Sequence, residues 1–122
     1  MTTYTEPYRA FEALLSEGGG SISREKITVV SGAGELAAGT VLGTITASGK
    51  YTPFDDGNVD GSETATAILM QAVDATSADV SATAIVRLAE VKKDALQWDA
   101  AVDATAKAAA YVDLAAAYII GR

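Results

Sequence analysis

The residues of this chain that could do chemistry are mainly glycines, carboxylates and one tryptophan, because its 122 residues include no histidine and no cysteine. Without histidine there is no ordinary proton shuttle at neutral pH and no serine–histidine triad. Without cysteine there is no thiolate nucleophile, disulfide or zinc–cysteine site. An enzyme would have to work with carboxylates, lysine or tyrosine. We predict that the protein is not an enzyme and uses no cofactor.

A glycine-rich stretch, VVSGAGELAAGTVLG at positions 29–43, has the spacing of a nucleotide-binding loop. Gly32, Gly34 and Ala37 match the G-x-G-x-x-G/A fingerprint, which holds a pyrophosphate between a strand and a helix. The residues that follow, GTVLGTIT, continue as a strand, so no helix N-terminus is available for the phosphate. We therefore interpret these glycines as turn residues.

A second stretch, DDGNVDG at positions 55–61, matches the first half of an EF-hand calcium loop. Asp56, Asn58, Asp60 and Gly61 occupy positions one, three, five and six, but position twelve, normally a bidentate Glu, is Ala67. Two interpretations stand: a weak cation site, or Asx turns that need no ion. The cation site would use Asp55, Asp56, Asp60 and Glu63.

Three carboxylates, Glu90, Asp94 and Asp99, lie close in sequence to the single tryptophan, Trp98. A glycosidase needs two carboxyl groups that converge on a cleft, and nothing in this spacing forces them together. We interpret them as surface acids and Trp98 as a core or interface residue. Arg87 lies inside an apolar run, where an ion pair with Glu90 or another carboxylate is expected.

The charge balance excludes some partners. Sixteen acidic and nine basic residues give a net charge of −7, which repels a phosphate backbone, so we predict no direct binding of nucleic acid. No apolar run is long enough to span a membrane, and MTTYTEPYRAF does not have the form of a signal peptide. We expect a soluble protein that is not exported and does not bind a membrane.

The elements that position these residues are predicted to be mainly β-strands. Strands are expected at KITVV, TVLGTIT, TATAILMQAV and SATAIVRLAEV, with a tight turn at Ser48-Gly49 and a strand ending near Pro53. Asp103 or Thr105 can cap an alanine-rich helix, and Tyr118–Ile120 are expected to form a last strand. One helix face would carry Ala108, Tyr111, Val112, Ala115 and Ile119. The predicted fold class is mainly β with a short C-terminal helix (α+β).

Residues 1–25 differ from the rest and are predicted to be an N-terminal arm, with a hinge at Gly18–Gly20, joined to a β-rich domain at 26–122. The arm carries apolar residues at helical spacings, which are unusual in a disordered tail. Such an arm suits binding to a partner, as an added strand or a docked helix. The predicted partner-binding residues are Tyr4, Tyr8, Phe11, Leu14 and Leu15.

In the order of its pieces, the chain resembles the head decoration proteins of tailed bacteriophages. The matching stretches include EALLSEGGGSISREKITV, GELAAGTVLGTITASGKYTPFD, IVRLAEVKKDALQWD and the final helix with YIIGR. The most specific is A-G-T-V-L-G followed by T-x-S-G-K-Y, from Ala38 to Tyr51. Together these stretches cover nearly the whole chain.

The resemblance implies a compact β-clip-like domain that forms a homotrimer on the outer surface of the expanded phage head. The arm would become ordered against the major capsid protein and bind through Tyr4, Tyr8, Phe11, Leu14 and Leu15. The trimer would stabilise the shell against the pressure of packaged DNA. It would be found in the virion, after assembly in the host cytoplasm.

A small-molecule or carbohydrate-binding β-domain is the alternative function. It predicts a pocket near Trp98, Tyr51 and the DDGNVDG loop.

Overall fold

A closed five-stranded barrel forms the centre of the fold in the computed structural model, which describes residues 10–19 and 22–122. The strands of the described residues, β1 to β10, are Leu14–Glu17, Arg24–Val29, Gly34–Leu36, Val41–Thr44, Tyr51–Pro53, Ala65–Leu69, Val73–Ala75, Val80–Ile85, Ala89–Val91 and Ile119–Gly121. The barrel order is β2-β5-β4-β6-β8. Neighbouring strands in the barrel are antiparallel, except that β2 and β5 form a parallel pair at Val29 and Tyr51, which closes the barrel. The predicted mainly β fold class is confirmed.

Two smaller sheets lie outside the barrel. In the first, β9 is central, with β1 antiparallel on one side and β10 parallel on the other. In the second, β3 and β7 form an antiparallel ribbon. A single turn of 3₁₀ helix, Lys93–Ala95, and an α-helix, α1 at Ala104–Ala116, connect β9 to β10. The first and last strands therefore meet in the same sheet.

The alternation of side chains along the barrel strands produces two buried clusters. One lies inside the barrel and is rich in alanine, as the narrow interior of a small barrel requires. Its buried members are Ile27, Val29, Leu42, Ala67, Leu69, Ala75, Ala82 and Ala84. The other contains residues of the barrel's outer side, α1 and the three-stranded sheet, among them Phe54, Ile68, Ile85, Leu114 and Ile119. This second cluster fixes the position of the three-stranded sheet.

The predicted face of the C-terminal helix was wrong. The buried residues of α1 are Ala106, Ala110 and Leu114, whereas Val112 is 72% exposed. Alanine-rich segments give a weak apolar pattern, and here the small residues at i and i+4, Ala106 and Ala110, let the helix lie close to the barrel.

Other expectations for the C-terminal segment are confirmed. Asp103 is the N-cap and accepts a hydrogen bond from the Ala106 N–H, and a last strand follows the helix.

The glycine-rich stretch turns the chain, as predicted. Gly32, Gly34 and Gly39 all have φ between 87° and 93°, the left-handed region that favours glycine. At Gly39 a side chain would also overlap the carbonyl oxygen of Ala95. The parallel bridge of Thr40 with Gln97 lies next to this close approach. Gly39 lets the segment before β4 pack against the 3₁₀ turn after β9. Strand β4 follows where a phosphate-binding helix would have to begin.

Among the described residues, none of the helical segments combines the length and the apolar character needed to cross a lipid bilayer.

Candidate functional site

The described part of the N-terminal segment lies against the body of the protein. Ala13 is 3% exposed, and Phe11 and Leu14 pack half-buried against the outer core cluster. The Phe11 N–H donates to the Met70 carbonyl at 2.7 Å, and the Lys92 N–H donates to the Ala13 carbonyl at 2.7 Å. Residues 10–17 therefore contribute to the fold itself, and the boundary predicted after residue 25 falls inside β2.

The five residues predicted to bind a partner are placed differently from one another. Tyr4 and Tyr8 lie outside the described residues. Leu14 begins β1, and Leu15, on the same strand, is 51% exposed. The predicted helical spacing is not realised in 10–17, because Phe11 lies in a turn with φ 63° and a strand follows it. Leu15 is thus the most accessible of the three described residues.

Gly18, the first residue of the predicted hinge, is fixed by hydrogen bonds. Its N–H donates to the Ser23 hydroxyl at 2.7 Å and to the Leu88 carbonyl at 3.0 Å. The buried Ser23 hydroxyl in turn donates to the same Leu88 carbonyl at 2.7 Å. Gly19 has open space around it, and Gly20 lies outside the described residues. The chain is therefore anchored at Gly18, immediately after β1.

Arg24 ties the N-terminal segment to the barrel. Its guanidinium donates three hydrogen bonds to the Glu17 carboxylate, at 2.7, 2.9 and 3.1 Å, and lies 4.5 Å from the centre of the Phe11 ring. These hydrogen bonds lower the pKa of Glu17 below its ordinary value and raise that of Arg24. Because the pair is exposed, its main effect is to orient β1 relative to β2.

Five exposed apolar side chains lie on or beside the three-stranded sheet, and we call them the apolar surface: Leu15, Ile22, Leu88, Tyr118 and Ile120. They are five of the seven exposed large hydrophobic residues in the described part of the chain. Ile22 and Leu88 are close to each other beside Gly18, since a Cβ on Gly18 would lie 2.5 Å from Ile22 and 3.7 Å from Leu88. Large clustered apolar groups on a protein surface are typical of an interaction site.

The backbone beneath the apolar surface is strained. Leu88 has φ 50° and Tyr118 has φ 62°, and they are neighbours, because the Leu88 N–H donates to the Ala117 carbonyl and the Ala89 N–H donates to the Tyr118 carbonyl. The left-handed region costs about 1–2 kcal/mol for a residue with a side chain. Bulky apolar residues at such positions indicate a function for the side chains themselves.

The chain matches a known protein family over nearly its whole length. Residues 3–119 match the family model described as Bacteriophage lambda head decoration protein D. The chain belongs to this family. No curated protein matches it. The resemblance inferred from the sequence is thereby confirmed, and the chain is a structural component of the phage head, associated with the virion capsid.

The DDGNVDG loop of this decoration protein is held by its own hydrogen bonds. Asp55 accepts from the Gly57 N–H at 2.9 Å, and Asp60 accepts from the N–H and hydroxyl of Ser62 at 3.0 and 2.5 Å. The bonds from Ser62 lower the pKa of Asp60. Within residues 10–19 and 22–122, no group of three or more carboxylates could hold a metal ion. The structure therefore favours the Asx-turn interpretation over a cation site.

Two of the carboxylates near Trp98, Glu90 and Asp99, have partners of their own, and Asp99 accepts a hydrogen bond from the Ala101 N–H at 3.0 Å. Glu90 forms an ion pair with Arg122 at 2.9 Å. Arg87 pairs with Glu25 at 2.8 Å, so the ion pair predicted for Arg87 forms with a carboxylate other than Glu90. The lone tryptophan makes edge contacts with Phe54 and Tyr111, at centroid distances of 6.3 and 5.6 Å. It therefore acts as a packing residue between the barrel and α1.

A pocket of 320 Å³ does lie beside Trp98, as the alternative function predicts. Neither Tyr51 nor any residue of the DDGNVDG loop lines it, so that part of the prediction was wrong. The pocket is instead formed by β3, residues 97–99, Thr40 and Pro53. The sequence analysis did not predict that β3 lines a concave surface, because only the glycines of this stretch were interpreted, as turn residues.

Proposed function

We propose that this protein binds the outer surface of the expanded phage head as a homotrimer and stabilises the shell against the pressure of packaged DNA. The contact with the major capsid protein is made by the apolar surface together with the N-terminal segment, including Tyr4, Tyr8 and Leu15. Assembly on the head takes place in the host cytoplasm. This assignment needs no catalytic group, since clamping a shell consists only of binding.

The observation that carries the proposal is the position of the apolar surface. Leu15 is exposed on β1, the first strand of the described chain, Tyr118 is exposed immediately before β10 of the same sheet, and Ile22 is exposed in the segment between β1 and β2. Burying apolar area is worth about 25 cal/mol per Å². A partner that covers this surface therefore gains binding energy. Phe11 and Leu14 support the surface from beneath, because both pack against the core.

The sequence of residues 1–9 supports a second part of the contact. It contains Tyr4 and Tyr8, two of the five tyrosines in the chain. Aromatic residues are enriched where protein interfaces bind most strongly. Since residues 10–17 are already part of the fold, we propose that residues 1–9 form the portion that contacts the capsid beyond the domain.

A trimer would increase the affinity of such a modest contact. Once one subunit is bound, the other two are held near their own sites at a high effective concentration. A trimer with closed threefold symmetry would also match a threefold position of a capsid lattice. Binding would then depend on the spacing of sites in the expanded shell, which selects the mature lattice.

Deleting residues 2–9 tests the proposal, and this deletion leaves β1 and its core contacts in place. We expect the truncated protein to keep its thermal unfolding temperature and its solution mass, and to lose at least tenfold in affinity for empty expanded heads in a sedimentation assay. Full-length protein in the same preparation of heads is the control. If the truncated protein sediments with heads at full-length affinity, residues 1–9 do not bind the capsid.

A further inference from the structure

A second region of the surface, around β3, is concave. The 320 Å³ pocket lies between β3 and residues 97–99, and a second depression of 550 Å³ is lined by residues 35–37 and 72–74. We call both together the β3 groove. Its lining residues include Glu35, Leu36 and Ala37, which the two sides share, with Trp98 and Asp99 on the first side and Val73 and Asp74 on the second.

Strand β3 is at an edge. In the described part of the chain it pairs with β7 alone, from Gly34 opposite Ala75 to Leu36 opposite Val73. The 320 Å³ pocket lies along the other side, because its lining contains residues of β3 and of 97–99 but none of β7. An edge strand next to an open slot can accept another extended strand.

The charged residues that line the groove are all acidic. Glu35, Asp74 and Asp99 line it, and no lysine or arginine does. Glu35 and Asp74 are directly opposite each other in the β3–β7 ribbon, an arrangement of like charges that destabilises a strand pair. The described lysines and arginines that form ion pairs do so with other carboxylates: Glu17, Glu25, Asp79 and Glu90. A cation placed in the groove would relieve this repulsion.

We propose that the β3 groove binds an extended segment of a partner protein that adds a strand to the free edge of β3 and places a lysine or arginine side chain between Glu35 and Asp99. The apolar side chains of Leu36, Pro53 and Trp98 contact the aliphatic part of the guest side chain. The volume of 320 Å³ is enough for one long side chain. This site is independent of the apolar surface, so it does not rest on the proposed contact with the capsid.

The test uses the full-length protein, labelled with nitrogen-15, and three synthetic peptides. The first is acetyl-Thr-Val-Arg-Val-Thr-amide, the second has Glu in place of Arg, and the third carries N-methyl groups on alternate amides of the first. We expect the arginine peptide to cause saturable shifts of the amide signals of Gly34–Ala37 and of the Trp98 indole N–H. The other two peptides are expected to leave these signals unchanged at the same concentration.

Charge variants of the protein complete the test. Glu35→Gln with Asp99→Asn should weaken binding of the arginine peptide about three- to tenfold, because exposed ion pairs stabilise a complex only modestly. Asp60→Asn with Glu63→Gln, which removes two carboxylates elsewhere, should leave the affinity unchanged. The proposal is overturned if the arginine peptide gives no saturable shift, if the glutamate or N-methylated peptide shifts the same signals equally, or if both variants bind alike.

Discussion

At the scale of single residues, a close approach of neighbouring backbone requires glycine at particular positions in this chain. Gly43 faces the backbone of Ser62, and a Cβ on Gly43 would lie only 2.5 Å from the Ser62 carbonyl oxygen. Gly39 combines such an approach, to the Ala95 carbonyl, with φ 93°. Both belong to the A-G-T-V-L-G stretch that carries the strongest resemblance to the family. The fold therefore leaves no room for a side chain at Gly39 or Gly43, which explains why both positions of this stretch are glycine.

Replacing Gly39 by alanine tests this explanation. Gly39→Ala should lower the free energy of unfolding by about 3 kcal/mol or more, since left-handed strain and a collision with backbone atoms act together. Gly49→Ala is the matched control, because Gly49 has φ 74° with nothing within 4 Å of a built Cβ. We expect the control to lose only about 1–2 kcal/mol. Urea denaturation measures both values, and equal losses would show that the close approach is unimportant.

At the scale of elements, the sequence predicts strands better than it predicts the packing of the helix. Alternating β-branched residues and turn glycines identify β4, β6 and β8, because a half-buried strand imposes a period of two. The inward face of α1 could not be identified, because alanines on every side leave the apolar pattern without direction. The pairing of β1 with β9 was also missed, because β1 is short and its partner is distant in sequence.

Two substitutions in α1 test the observed face of the helix. Leu114→Ala should lower the free energy of unfolding by about 2–4 kcal/mol, because it leaves a cavity in the outer core cluster. Val112→Ala, on the face predicted from sequence, should change it by no more than about 0.5 kcal/mol. Thermal or urea unfolding distinguishes the two. The reverse order of effects would place Val112 in the core.

At the scale of the whole molecule, the protein has two separate surfaces with opposite character. The apolar surface around the three-stranded sheet has strained residues at its centre, Leu88 and Tyr118. The β3 groove is acidic and lies next to an edge strand. If both proposals hold, one surface binds the capsid and the other binds an extended segment of a partner protein. Membership of the family could be inferred from the sequence, whereas these surfaces required the fold.

Tyr118 is exposed and has a positive φ, so replacing it can test binding without lowering the stability of the fold. Asparagine tolerates the left-handed region better than tyrosine does, so Tyr118→Asn removes an exposed aromatic ring without straining the backbone. Leu15→Thr removes a second exposed apolar side chain from β1 and keeps a residue that favours strands. We expect the double variant to unfold at a temperature equal to or above that of the unmodified protein.

The binding of this double variant to empty expanded heads, measured by sedimentation, is the most direct test of the account. Leu15→Thr with Tyr118→Asn should reduce affinity at least tenfold, which corresponds to about 1.4 kcal/mol. The control, Val59→Thr with Val112→Gln, changes two exposed apolar residues outside the apolar surface and should bind normally. A double variant that is folded and binds heads as tightly as the control would contradict the central claim that this surface holds the protein on the capsid.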